Sequence, residues 1–152
     1  MSPLGHLGIV VWLVHWREYT GRAAWLCLFG AFLPDLVDKP LGVLGVVPSL
    51  HTVGHSVFVV AVAVVAAVAS ERWRPVVAGW LSHLALDLSL AVPAYLNQYV
   101  WPLRTPAGGP DEPLAAYVAS YATSAAFAVE LAIALGAAVL LVRGESRFGV
   151  QS

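Results

Sequence analysis

Residues 40–70 read PLGVLGVVPSLHTVGHSVFVVAVAVVAAVAS, a run with no Asp, Glu, Lys or Arg. A helix that crosses a bilayer needs about 20 mostly apolar residues, so this run is long enough by itself. Working outward, residues 75–86 and 88–103 form a similar stretch interrupted only by Asp87, and residues 113–129 and 131–142 another interrupted only by Glu130. Two shorter apolar runs, 1–16 and 23–34, precede them. Met1 to His6 lacks the positively charged region that opens a secretory signal peptide, so the first run is expected to remain a helix of the protein.

The composition agrees with this reading. The 152 residues are 59% hydrophobic and 11% charged, with mean hydropathy +0.77. Soluble domains carry roughly 25% charged residues, so a water-soluble enzyme surface is excluded. Disorder is excluded too, because it requires low hydrophobicity and high charge. A net charge of −1 without a basic stripe argues against a nucleic-acid partner. The single cysteine, Cys27, can form neither an internal disulfide nor a thiolate metal site, and reads as a small buried residue.

The expected fold is all-α: an integral membrane bundle of five helices near 4–18, 21–34, 50–71, 75–92 and 113–142. Pro34, Pro40 and Pro48 bound one long loop, and Pro93, Pro102, Pro106 and Pro110 another. Pro75 and Pro113 suit first helical positions. Residues 1–143 form a single transmembrane domain and 144–152 a short cytoplasmic tail. Arg17, Arg22, Arg72, Arg74, Arg143 and Arg147 fall at one end of an alternating bundle, and only Lys39 and Arg104 at the other. The excess of positive charge marks the cytoplasmic side of a cell (inner) membrane, which puts the N-terminus and both long loops outside. Trp12, Trp16, Trp25 and Trp73 would form the inner aromatic belt, and Tyr95, Tyr99 and Trp101 the outer one.

That topology gathers polar residues. At 1.5 Å per residue, His6 and Asp87 lie about 17–20 Å from the inner helix ends and His83 about 12 Å, level with Asp35, Asp38, His51 and His55 in the outer half. Ionisable residues within membrane segments are costly and face the interior or a water-filled cavity. His83 and Asp87 are spaced i,i+4, as are His51 and His55, so each pair shares one helix face. Asp35 and Asp38 place two carboxylates on a proline-bounded turn, and His6 is a lone imidazole. Nitrogen and carboxylate donors without thiolate suit a divalent metal, zinc in the first place, with manganese or iron as alternatives. Such pairs on separate helices are how bundles build internal metal sites, with one or two ions here. Glu130 lies about 17 Å from the inner end of its helix and could orient a ligand histidine, or simply be packed. His15, beside Trp16 and Arg17, reads as structural.

Several of these residues occur together in one known group. Gly5-His6, Leu33-Pro34-Asp35 followed by Asp38, His55-Ser56, the block from Gly79 through Trp80, Ser82 and His83 to Asp87, and Trp101-Pro102 stand in the same order in the YdjM-like proteins. Over roughly residues 5–105 the chain resembles that group of membrane-bound, metal-dependent hydrolases, itself distantly similar to zinc-dependent phospholipase C and P1 nuclease. The resemblance implies metal-site roles for His6, Asp35, His55, His83 and Asp87. Two departures stand out. The second aspartate, Asp38, comes one residue later than in the family pattern, and the segment from His51 to His55 lacks the family's arginine and is one residue shorter.

The functional expectation is a membrane-embedded metal-dependent hydrolase. His6, Asp35, His51, His55, His83 and Asp87 would hold the metal, Asp38 or Asp35 would take a proton from water, and Arg104 would hold an anionic headgroup. Membrane lipid is both the environment and the expected substrate, through a phosphoester or related headgroup bond. The alternatives are a divalent metal-ion transporter, or a structural membrane subunit with a metal-stabilised polar core. In the last case the small residues along 115–138 would pack against a partner or a second copy.

Overall fold

A computed structural model describes residues 3–90, 93–106, 114–143 and 148. The described chain is all-helical. In order it contains α1 (Pro3–Trp16), α2 (Gly21–Val43), α3 (Val57–Ala69), a short 3-10 turn, α4 (Arg74–Leu90), a 3-10 segment (Pro93–Val100), α5 (Leu114–Ala122) and α6 (Ala125–Val142). Arg147, nearly all of the expected tail 144–152, the opening of the last helix at Pro113, and the side chain of Tyr95 lie outside the described residues.

Three elements depart from the sequence expectation, two because a tertiary partner outweighs a local rule and the third through local side-chain bonds. First, α2 does not stop at Pro34 but runs to Val43, with Pro34 and Pro40 inside it. A proline removes one helical hydrogen bond, yet Pro34 is buried, and Gly54 packs so closely on it that a Cβ there would lie 2.6 Å from its Cα. Asp35 and Asp38 therefore sit on a helix rather than on a turn. Second, the third helix begins at Val57 rather than near residue 50, with Ser56 as its N-cap. The backbone N–H groups of Thr52 and Gly54 donate to Asp38, at 2.7 and 2.9 Å, instead of to a helix. His51 and His55 thus lie on a loop. Third, the expected helix 113–142 is broken at Thr123 and Ser124. The Ser124 hydroxyl caps α6 by accepting from Phe127 N at 3.1 Å, and Thr123 donates to the Ser120 carbonyl at 3.0 Å. Both are the local side-chain bonds by which these residues compete with a helix.

The closest packing is between α2 and α4. A Cβ on Gly30 would lie 1.9 Å from the Val76 carbonyl oxygen, and one on Gly79 1.9 Å from that of Cys27, so only glycine lets the two backbones meet. Against them stand α1 and then α6, joined by the Trp12 indole donating to the Ile133 carbonyl at 3.2 Å. The apolar core is a thin column of Val10, Val14, Ala24, Cys27 and Ala31. Much of the remaining interior is polar: His6, Asp38, Thr52, His55, Ser56, His83, Asp87, Gln98 and Glu130 are all buried.

The outside is the reverse. Val62 is 71% exposed and Leu135 60%, and both stand among further exposed valines and leucines of α3 and α6. Five spanning helices are expected from the sequence; among the described residues, α6 is the one helix long and apolar enough to cross a membrane, with 11% of it buried. Its 18 residues reach about 27 Å. The apolar helices α1 and α3 have 14 and 13 residues, while α2 carries Arg22, Asp35, Asp38 and Lys39 along its length.

Candidate metal centre

The buried polar residues converge at the crossing of α2 and α4. His83, on α4, donates from Nδ1 to the Ala31 carbonyl of α2 at 2.7 Å. A carbonyl only accepts, so Nδ1 carries the proton and the neutral ring keeps its lone pair on Nε2. His55, on the loop between α2 and α3, has Nδ1 2.8 Å from Asp38 Oδ2. Asp38 already accepts from Thr52 N and Gly54 N, so His55 donates here as well, and its lone pair is also on Nε2.

These two lone pairs face each other. His55 Nε2 is 3.2 Å from His83 Nε2, and each is 3.3 Å from Asp87 Oδ2. Three acceptors thus form a nearly equilateral triangle. A proton can serve one pair of them at a time, whereas a metal ion serves all three. The edges match the ligand-to-ligand spacing of a tetrahedral site with bonds of about 2.0 Å, which is about 3.3 Å. Both histidines also carry the outer support expected of metal ligands, one from a carboxylate and one from a backbone carbonyl.

Further donors surround the triangle. Asp87 Oδ1 lies 3.4 Å from His6 Nε2, and Asp35 Oδ1 lies 4.0 Å from His83 Nε2. Neither carboxylate oxygen has a hydrogen-bond partner, although both are buried, and the same holds for His6 Nδ1. Buried polar atoms are nearly always bonded, so carboxylate oxygens left unbonded beside the triangle suit a site that could hold a cation. The ring of His6 stacks on that of His83 with centroids 3.8 Å apart, and the ring of His51 stands edge-on to His55 at 4.7 Å. Two groups, His6 with His83 and Asp87, and Asp35 with His51 and His55, each bring three donor atoms within 4.8 Å of one another.

Burial, with His55 alongside, pushes the His51 imidazole down to about 4, which leaves it neutral and able to ligate. Burial alone would push His55 down as well, but its contacts with Asp38 and Asp87 outweigh that and hold it above the ordinary histidine value. The field at His55 therefore favours positive charge.

The loop that carries His55 is held from three sides. Asp38 binds it from α2, the Trp80 indole of α4 donates to the Gly54 carbonyl at 2.8 Å, and the Ser56 hydroxyl donates to the Trp101 carbonyl at 2.6 Å. Six of the residues singled out from sequence, His6, Asp35, His51, His55, His83 and Asp87, are brought together as donors. Asp38 joins them in a different capacity: its oxygens are taken by the loop and by His55, so it positions a ligand instead of facing water. Arg104 is exposed, and among the described residues no hydrogen bond or ion pair ties it to the cluster. Glu130 is buried against Gly5, next to His6, and accepts a hydrogen bond from the Tyr121 hydroxyl. His6 Nδ1 makes no hydrogen bond, so Glu130 does not orient that ring through it.

Sequence reasoning did not reach the Ala31 carbonyl, the amides of Thr52 and Gly54, or Tyr99. Backbone groups carry no side-chain signal, and Tyr99 resembles any interfacial tyrosine. Burial and the negative charge of Asp87 push its hydroxyl up to about 12. Comparison with models of protein families, with curated proteins and with solved structures finds no match to this chain.

Proposed function

We propose that the chain is a membrane-embedded, metal-dependent hydrolase that acts on a lipid phosphoester or a related headgroup bond, with zinc as the preferred ion. The observation that carries the reading is the triangle of His55 Nε2, His83 Nε2 and Asp87 Oδ2, three buried ligand atoms that no single proton can bridge. Membrane embedding is supported by the polar interior and the apolar exterior, and by α6. The order of motifs shared with the YdjM-like proteins points to the same chemistry.

His55, His83 and Asp87 would hold the metal, with Asp35, His6 and His51 as the further donors around it. When bound, such an ion acidifies water and polarises a phosphoryl or carbonyl oxygen. Asp38 fixes the His55 ring. Asp35 has one oxygen held by Lys39 at 2.5 Å and the other unbonded and turned toward the centre, so it is the carboxylate disposed to take a proton from water. In the expected orientation the centre opens toward the non-cytoplasmic leaflet, at the depth of lipid headgroups.

The test is elemental analysis of protein purified in detergent without chelators, followed by a screen of lipid phosphoesters. The expected result is one or two equivalents of zinc per chain and hydrolysis that His83→Ala abolishes together with the metal. Absence of stoichiometric metal, or full metal content and activity in His83→Ala, overturns the reading.

A further inference from the structure

The ligand residues of the centre are unequally covered. The His83 side chain is 0% exposed and that of Asp35 17%, while the Lys39 side chain beside Asp35 is 48% exposed. Exposure therefore rises along one line, from the buried imidazole through Asp35 to Lys39. The distances follow the same line. Lys39 Nζ is 2.5 Å from Asp35 Oδ2, and Asp35 Oδ1 is 4.0 Å from His83 Nε2. The ammonium thus stands one carboxylate away from a nitrogen of the triangle. Asp35 and Lys39 meet because they are spaced i,i+4 on α2, which continues past Pro34 as a helix.

The rest of the centre offers lone pairs and negative charge, with Asp35 Oδ1 and Asp87 Oδ1 buried and unbonded. A phosphoryl group brings further oxygens that only accept, so besides a metal it needs a positive hydrogen-bond donor where it enters. Arg104, the cation expected from sequence to hold an anion, is exposed and not tied to the cluster. Among the described lysines and arginines, Lys39 alone forms an ion pair with a ligand residue of the centre. An ammonium has three N–H donors. Among the described residues Lys39 spends one of them, on Asp35, so two remain for an incoming anion. Attraction between charges is weak in water and grows as water is excluded, so a half-exposed ammonium at the rim acts most strongly once an anion covers it.

We propose that Lys39 is the anion-recognition residue of the centre, its ammonium donating to a non-bridging oxygen of a phosphoryl group that enters over Asp35. This rests on the reading of the centre as a metal site that takes phosphoryl substrates, and it adds the residue that selects for negative charge. A phosphomonoester carries about −1.5 to −2 charge and three acceptor oxygens at neutral pH, enough to face the metal and Lys39 together. A headgroup with its own ammonium meets Lys39 with like charge, so the site favours an anionic headgroup over a zwitterionic one. Inorganic phosphate and the phosphomonoester headgroup of a lipid share this chemistry.

The experiment uses the full chain in detergent, saturated with Co(II) and followed by its visible absorption. Inorganic phosphate and a short-chain phosphatidic acid are titrated in parallel into the wild-type protein, Lys39→Met and Lys39→Arg. The expected result is anion binding weakened by about 10–100-fold in Lys39→Met and largely restored in Lys39→Arg, which keeps the charge. Added salt should weaken binding more steeply in the wild type than in Lys39→Met. Tighter binding of phosphatidic acid than of phosphate in the wild type identifies the lipid as the source, and equal binding identifies free phosphate; a loss in Lys39→Met supports the proposal in both arms. Unchanged anion binding in Lys39→Met overturns the proposal alone, because Lys39 then only neutralises Asp35. A loss that Lys39→Arg does not restore overturns it too, since the positive charge would not be what matters. Failure of the wild type to bind Co(II) overturns the metal reading itself, and with it this subsite.

Discussion

Asp38 accepts from Thr52 N, from Gly54 N and from the His55 ring, and all of these bonds are buried. One carboxylate thereby folds a loop and aims a ligand. Asparagine at this position has the same shape but a single acceptor oxygen, so at least one of the three donors loses its partner. Asp38→Asn is expected to weaken metal binding by about 10–100-fold and to lower stability by about 1–3 kcal/mol. Competition with a chromophoric chelator and thermal unfolding in detergent measure the two effects; undiminished metal affinity would show that Asp38 does not position His55. At this scale the sequence was informative about residue types and poor about their duties. The i,i+4 spacing of His83 and Asp87 was readable because both stand on one helix. That Asp38 serves His55, 17 residues later, depends on a loop whose path no local pattern encodes.

The helices α2 and α4 owe their contact to Gly30 and Gly79, and the same contact brings His83 to the Ala31 carbonyl. In Gly79→Ala the added methyl meets the Cys27 carbonyl and the Ala31 amide at 1.9 and 2.8 Å, so the helices must separate. Overpacking of this kind costs about 1–3 kcal/mol. The expected outcome is a lower melting temperature together with weaker metal binding, read on one sample by unfolding and by elemental analysis. Val62→Ala, on the exposed face of α3, should leave metal binding untouched. A Gly79→Ala protein with normal metal affinity would show that the helix crossing does not set the ligand geometry. The prolines of α2 teach the converse lesson. Pro34 and Pro40 argue for a helix end, yet α2 continues through them; at Pro34, packing against Gly54 outweighs the missing hydrogen bond.

For the whole molecule the decisive feature is the inversion of polarity, with imidazoles and carboxylates inside and valines and leucines outside. Leu135 lies near the middle of α6 and is exposed. If that face meets lipid, Leu135→Lys disfavours insertion by about 2.5–3.5 kcal/mol; on a surface facing water the same change stays within about 0.5 kcal/mol. The fraction of protein that resists alkaline carbonate extraction should therefore fall sharply in Leu135→Lys. An unchanged fraction would argue against a lipid-facing α6.

Composition and apolar run lengths determined the helical class and the pairing of histidine with aspartate, because helix periodicity is a local property that a linear pattern records. The extent of α2 and α3, the loop that bears His51 and His55, and the placing of Asp38 were decided only in three dimensions. Each of these depends on a contact between segments distant in the chain, where a buried hydrogen bond or a glycine-lined crossing is worth more than the local preference it overrides.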